Sequence, residues 1–245
     1  METVDIHEIE WNDEKVARLW DYYSKTPPYS EDYFTKEVGK NILHETSKVL
    51  GNLDNKVILD FGCGPAFLMD HISNLNIQPK KYIGLDFSEK SVENIKNKKN
   101  ISFDHNGVFV QQLPSSIESN SIDICFLIEV IEHLEDDYLD GTLKEIFRVL
   151  KPGGKLIITT PNSEDLDQSK NFCPDCGSIY HKWQHVRSFT SHVLEETLLQ
   201  HDFKTVTVEE LTFIGEKTSF FKKLKLKLRR LSQRKNGNLF GIFIK

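Results

Sequence analysis

Apolar runs and amphipathic stretches alternate along most of the chain. Residues 57–59 run into Asp60, 82–85 into Asp86 and 122–128 into Glu129, while 155–160 are closed by Pro161; each run has the length and bounds of a buried strand. Between them apolar positions recur at helical spacing. This predicts helices over 67–77, over 89–98 with Ser88 as cap, near His133, and over 141–150. The third strand has two candidates, 101–103 and 108–110, with Asn106-Gly107 able to turn a hairpin between them. Beyond the fifth strand, 191–201 reads as a helix and 204–213 and 239–244 as strands. Alternating strands and helices with short connections require right-handed crossovers, hence an α/β, doubly wound, mainly parallel sheet that binds ligands at its strands' carboxyl ends. Asp60, Asp86 and Glu129 all fall at such ends.

Ahead of the first strand, residues 1–50 form a predicted helical cap on a domain of residues 51–245. Trp11, Trp20, Tyr22, Tyr23, Tyr29, Tyr33 and Phe34 crowd around the break at Pro27-Pro28. Those rings can pack the cap onto the sheet or line a ligand pocket, and the pattern does not separate the two.

The first strand opens into Gly62-Cys63-Gly64. Two glycines two apart allow a sharp turn and bring bare main chain against a ligand. Asp86 follows 22 positions after Gly64, where a second parallel strand delivers an acid to a ribose. A carboxylate directly before the loop, Asp60, would repel phosphates, so a cationic nucleoside suits the loop better than a dinucleotide.

The series Leu59-Asp60-Phe61-Gly62-Cys63-Gly64, Gly84-Leu85-Asp86, Glu129-Val130-Ile131-Glu132-His133-Leu134 and Arg148-Val149-Leu150-Lys151-Pro152-Gly153-Gly154 resembles the class I S-adenosylmethionine-dependent methyltransferases. The resemblance covers about residues 40–215. It implies a Rossmann-like, seven-stranded sheet with helices on both faces and S-adenosyl-L-methionine as cofactor. It also implies that Gly62 and Gly64 face the methionine portion, that Asp60 helps hold its ammonium, that Asp86 accepts both ribose hydroxyls, and that Glu129 adjoins the cofactor. Ala66 stands where that family usually has glycine; as the next smallest residue it is expected to cost little. The segment 111–114, which touches adenine in such enzymes, lacks their usual acid.

Composition narrows the setting. The 245 residues, 38% apolar and 28% charged, suit one soluble α/β domain, and the net charge of −6 disfavours a general nucleic-acid surface. Cys63 lies in the ligand loop and Cys125 in a predicted strand, so no disulfide framework is suggested. With neither a secretion signal nor a long apolar run, a cytoplasmic protein is expected. Cys173 and Cys176, with His181 and His185, spell C-x2-C-x4-H-x3-H within an insertion at about 166–190, a spacing that suits tetrahedral zinc. The adjoining stretch 183–189 reads as a polar loop at the pocket mouth.

Glu132 and His133 are the candidate catalytic residues, because an ordinary histidine is a suitable base for an acceptor hydroxyl at neutral pH. This favours O-methylation of a small-molecule, glycan or lipid-linked acceptor. Two other readings stand beside it. One is a non-catalytic S-adenosylmethionine-binding domain. The other comes from resemblance to the small-RNA terminal 2′-O-methyltransferases, which carry Glu-x-x-Glu-His, here Glu129, Glu132 and His133, completed by a later histidine around a metal; His181, six positions before Arg187, has a similar spacing. Finally, residues 216–235 hold nine basic residues and one acid, with Phe220, Phe221, Leu224, Leu228 and Leu231 on one helical stripe. That pattern predicts a basic amphipathic helix able to touch an anionic membrane, or to pack as a lid on the acidic body.

Overall fold

A computed structural model describes residues 5–31, 33–215 and 237–245. The basic stretch 216–235 lies outside the described residues.

Seven strands form the main sheet. They are β2 (Val57–Phe61), β3 (Lys81–Asp86), β4 (His105–Phe109), β5 (Ile122–Ile128), β6 (Leu150–Pro161), β9 (Lys204–Leu211) and β10 (Asn238–Ile244), in the spatial order β4-β3-β2-β5-β6-β10-β9. β4 through β6 run parallel, and β10 alone is antiparallel to its neighbours. Strand order reverses between β2 and β5, which is where an open α/β sheet leaves a crevice for a ligand.

Alternation along the strands gives two cores. Ile58, Tyr82, Ile124, Phe126, Phe240 and Ile242 pack on one face under α2 (Phe34–Leu50) and α3 (Phe67–Asn74). Leu59, Leu85, Cys125, Leu127, Leu239 and Phe243 pack on the other under α5 (Asp136–Val149) and α6 (Ser191–Leu199). A central strand buried on both faces is apolar along its buried length, which is why β5 reads as one continuous run from Ile124 to Ile128, with the less buried Asp123 paired to Lys151 at its start. Helix starts are capped as their sequences require: Ser88 Oγ accepts from Ser91 N at the head of α4 (Glu89–Asn97), and Thr190 Oγ1 accepts from Val193 N at the head of α6.

Three expectations change. Asn106-Gly107 does not turn a hairpin: both residues lie inside β4, paired parallel with β3 as Ile83↔Asn106 and Gly84↔Gly107. A Cβ on Gly107 would meet the Val92 carbonyl oxygen at 2.8 Å, so this glycine serves the close approach of α4. Second, no α-helix starts at His133. Ile131–His133 is one 3-10 turn, and a single helix then runs from Asp136 to Val149 through Gly141. Third, the insertion is folded: β7 (Lys170–Phe172) and β8 (Ser178–His181) form a hairpin, and β1 (His7–Glu8) pairs parallel with β8 in a small separate sheet. From β1 the chain enters α1 (Asp13–Lys25), whose aromatic side chains contact residues of the insertion.

Candidate functional site

At the carboxyl end of β2 the chain turns through Gly62 and Gly64, both at positive φ (+74° and +48°). A Cβ on Gly62 would strike Val130 Cγ2 at 2.7 Å, so this residue has no room for a side chain. The loop is tied to β3 by Gly62 N and Cys63 N, which donate to Leu85 O at 2.8 and 3.1 Å. Asp86 Oδ2 accepts from Gly64 N and Oδ1 from Ser88 N, each at 2.8 Å. Both carboxylate oxygens keep a lone pair for another donor. Burial raises the Asp86 carboxyl and those amide bonds pull it down, with burial the larger effect. Asp60 accepts from the buried Tyr82 hydroxyl at 2.5 Å, yet its own burial pushes it up to about 7.

Ala66 sits at φ 57°, ψ 44°, in the left-handed region, at the N-cap of α3. That conformation accounts for a glycine at this position, and alanine costs about 1 kcal/mol there.

The second half of the site lies beyond β5. Glu129 holds φ at +50°, its amide donating to Thr159 O at 3.0 Å while its carboxylate oxygens each accept from Asn238 Nδ2 at 3.1 Å. Glu132, 1% exposed, accepts from Thr160 Oγ1 at 3.0 Å, and its other oxygen has no hydrogen-bond partner among the described residues. Burial pushes both carboxyls up, and the negative charge of Glu129 adds to the effect on Glu132.

Against this turn packs the segment that follows β8. Gln184 Nε2 donates to His133 O at 3.0 Å, His133 Nδ1 faces Gln184 O at 3.4 Å, and Val186 N donates to Glu132 O at 2.9 Å. Arg187 Nε donates to Leu134 O at 2.7 Å, and its NH2 pairs with Asp136 at 2.9 Å. The stretch 183–189 is therefore no loose polar loop: Gln184 and Phe189 are each 2% exposed. Arg187 is occupied in bracing the turn. From the cap, Trp20 Nε1 donates to Gln184 Oε1 at 3.1 Å and its ring meets His133 edge-on at 5.1 Å. Tyr23, Tyr29 and Trp183 extend the aromatic wall.

These bonds bring Glu132, His133 and His185 together, each offering one ligand atom within 4.8 Å of the others. Glu164, His181 and His185 form a second such group. Glu164 Oε2 lies 2.5 Å from His185 Nδ1, so that nitrogen carries the proton and Nε2 keeps its lone pair. His181 Nδ1 accepts from His185 N at 3.1 Å, which puts its proton on Nε2, 3.6 Å from Glu164 Oε1. Burial alone would raise the Glu164 carboxyl, but the two imidazoles outweigh it and hold it at about 2. Burial, with His185 adding, lowers His133 to about 3. A group so acidic when protonated is a weak general base and a good neutral ligand.

Cys173 and Cys176 belong to neither group. They sit in the β7–β8 turn, and β8, rising ~3.3 Å per residue, carries the chain away before His181 is reached. The expected set of Cys173, Cys176, His181 and His185 is thus split. Hydrogen bonds from Ser178 hold the Cys176 thiol at about 7.

A family model described as a methyltransferase domain matches residues 32–208. The chain belongs to that methyltransferase family. A ubiquinone biosynthesis O-methyltransferase of Bradyrhizobium diazoefficiens is 28% identical over 173 residues, covering 65% of this chain and 63% of that protein. Across five curated relatives the chain spans 26–63% of their lengths. Among solved structures, the fold is shared with a chain from the complex between the Haloferax volcanii Trm112 methyltransferase activator and a methyltransferase, at TM-score 0.65 and 18% identity, covering 96% of this chain and 99% of that one. It is shared too with the Burkholderia thailandensis 1,6-didemethyltoxoflavin-N1-methyltransferase, bound to its substrate and S-adenosylhomocysteine, at TM-score 0.61 and 16% identity, covering 98% and 93%. Among the described residues no helix is long and apolar enough to cross a membrane.

Four residues that carry no role in the sequence motifs stand at the candidate site. Trp20 and Gln184 had no local signal for their role. Tyr33, whose ring stands 3.9 Å from where a Gly64 Cβ would be and whose hydroxyl is raised by burial and by Asp86, was one aromatic among many. Glu164 could have been found, because it follows the end of β6 closely, as Asp60, Asp86 and Glu129 mark other strand ends.

Proposed function

We propose that the protein transfers the methyl group of S-adenosylmethionine to a hydroxyl of a small aromatic or amphiphilic acceptor, held by a divalent cation at Glu132, His133 and His185. The observation that carries this reading is the convergence of those three side chains, with one Glu132 oxygen buried and without a partner among the described residues, beside the glycine loop's half of the crevice. The buried carboxylate of Glu132, next to the imidazoles of His133 and His185, fits a cation better than it fits an empty pocket. A cation there would neutralise that carboxylate and acidify a hydroxyl placed against it.

The chain's own residues do the rest. Gly62 and Gly64 admit the methionine portion, Asp60 in its ionised form takes the ammonium, and the free lone pairs of Asp86 accept the ribose hydroxyls. Glu164 keeps the Nε2 lone pair of His185 directed away from itself, and Gln184 joins His133 to Trp20. The acceptor hydroxyl gives up its proton to water, its oxygen attacks the methyl carbon in line with the departing sulfur, the carbon–sulfur bond breaks, and a neutral thioether leaves. Positioning supplies most of the acceleration. The aromatic wall and the similarity to a ubiquinone biosynthesis O-methyltransferase support a ring-bearing hydroxyl acceptor. The composition of 216–235 supports transient contact with an anionic membrane, which sedimentation with anionic and neutral vesicles tests.

The deciding experiment measures S-adenosylhomocysteine release with catechols, amphiphilic phenols and short RNAs, with and without chelator. Turnover on the phenolic compounds that chelator abolishes and magnesium or manganese restores, at unchanged S-adenosylhomocysteine affinity, is expected. Turnover indifferent to chelator removes the metal. Preference for RNA 3′ ends removes the acceptor class.

A further inference from the structure

The β7–β8 turn, left out of the reaction, holds a second set of ligand atoms. Gly177, at φ +80°, closes it: Gly177 N donates to Cys173 O and Cys173 N donates to Ser178 O, both at 2.9 Å. This is a knuckle that presents the thiols of Cys173 and Cys176 together, both unbridged, the second fully at the surface. Alongside lies β1, from residues far away in sequence. His7 pairs with Ser178 across the strands, and its Nε2 faces Ser178 Oγ at 3.1 Å. Cys176 Sγ faces that same oxygen, also at 3.1 Å.

The histidine is set up to donate a lone pair. Its Nδ1 lies 3.0 Å from Asp5 O, which can only accept, so Nδ1 carries a proton, and in the neutral ring the Nε2 lone pair accepts from the Ser178 hydroxyl. A backbone carbonyl that fixes the distal ring nitrogen in this way is the usual support of a metal-bound imidazole.

We propose that Cys173, Cys176 and His7 close on a thiophilic divalent cation such as zinc, which displaces the Ser178 hydroxyl that now stands between the Cys176 sulfur and the imidazole. Three protein ligands leave a fourth position for water. Two thiolates and an imidazole select a softer ion than Glu132, His133 and His185 do, so the two sites take different metals. The cation would pin β1 to the hairpin. In doing so it fixes the start of α1, which carries Trp20 and Tyr23, over the end of the crevice where His185 stands.

The test uses the full chain without a histidine tag, reduced and loaded with cobalt(II) as the probe, together with elemental analysis of the protein as purified. A cobalt–thiolate charge-transfer band in the near ultraviolet is expected, with about one equivalent of zinc in the purified protein. Both should be lost in Cys176→Ser, cobalt affinity should fall tenfold or more in His7→Ala, and His185→Ala should keep the band. The ligands lie at the surface, so the variants should fold, which circular dichroism confirms. No band in the reduced wild type overturns the site, as does a band that survives Cys176→Ser; a His7→Ala variant with wild-type affinity removes His7 from it. The charge-transfer band requires a thiolate ligand, so it does not depend on whether the proposed catalytic cation is present.

Discussion

Gly64 and Asp86, which meet at one end of the crevice, are 22 positions apart in the chain. Trp20 and Gln184, which meet at the other, are 164 apart, and His133 is 51 positions from the Gln184 it faces. The first end is two consecutive strand–loop units of one sheet, and main-chain amides do most of the holding. The second is assembled from the cap, the turn after β5, the end of β6 and the folded insertion, and side chains do most of the holding. A site of the first kind can be read as a motif, and its amide donors survive most substitutions. A site of the second kind depends on each of its side chains and on everything that positions them.

If that contrast is right, the largest effect belongs to His185→Ala. It should lower kcat/KM by a factor on the order of 10² or more while leaving the S-adenosylhomocysteine Kd within about twofold, because the glycine loop does not depend on it. A parallel loss of cofactor affinity, read by calorimetry, would mean that the two ends are one unit. Asp86→Ala should do the reverse, weakening the cofactor by about 1.5–3 kcal/mol at unchanged metal content.

Glu164→Gln tests whether the support of a ligand matters as much as the ligand. Magnesium or manganese affinity should fall by about 10–100-fold, and excess metal should rescue turnover. If added metal rescues nothing, Glu164 has another role.

The pH dependence of cofactor binding sharpens the other end. Asp60 is raised to about 7 in the folded protein without cofactor, whereas an ammonium needs it ionised. The proton it holds favours the folded state at low pH, so this group's contribution to stability declines as pH rises from about 4 to 7, and cofactor reverses that decline. Affinity for S-adenosylhomocysteine should drop about fivefold from pH 7 to 6 and about tenfold per unit below, by linkage. Asp60→Asn should flatten the profile; a steep profile in that variant assigns the proton elsewhere. Glu164 has the opposite sign: held at about 2, it stabilises above the ordinary carboxylate range and loses this contribution as pH falls from about 4.5 towards 2.

The smallest expected change is Ala66→Gly. Relief of the left-handed alanine, about 1 kcal/mol, less the roughly 0.5 kcal/mol or more of entropy a glycine brings, should add at most about 0.5 kcal/mol and raise Tm by about 1–2 °C. No change in thermal unfolding would mean that the loop tolerates alanine without strain.

How much was legible follows the same division. The strand ends, the crossover order and the acids Asp60 and Asp86 were readable because period, strand length and glycine placement are local properties. Asn106-Gly107 misled because the same dipeptide serves a turn or a close helix–strand approach, and only α4 lying against it tells the two apart. C-x2-C-x4-H-x3-H misled more: the spacing suits one zinc if the segment is a compact loop, but an extended β8 between the cysteines and the histidines sends them to different places.

By itself, then, the sequence determined a doubly wound sheet, the identity of its central strands, and a loop that must admit a ligand against bare backbone. Tertiary structure decided which histidine joins Glu132 and His133, that Glu164 sets its tautomer, that Trp20 reaches the site through Gln184, and that His7 lies beside the cysteines. The reason is physical: hydrophobic period and backbone conformation are imposed by neighbours along the chain, whereas a ligand set needs side chains within a few ångströms of each other. That proximity exists only once the sheet, the hairpin and the cap have packed.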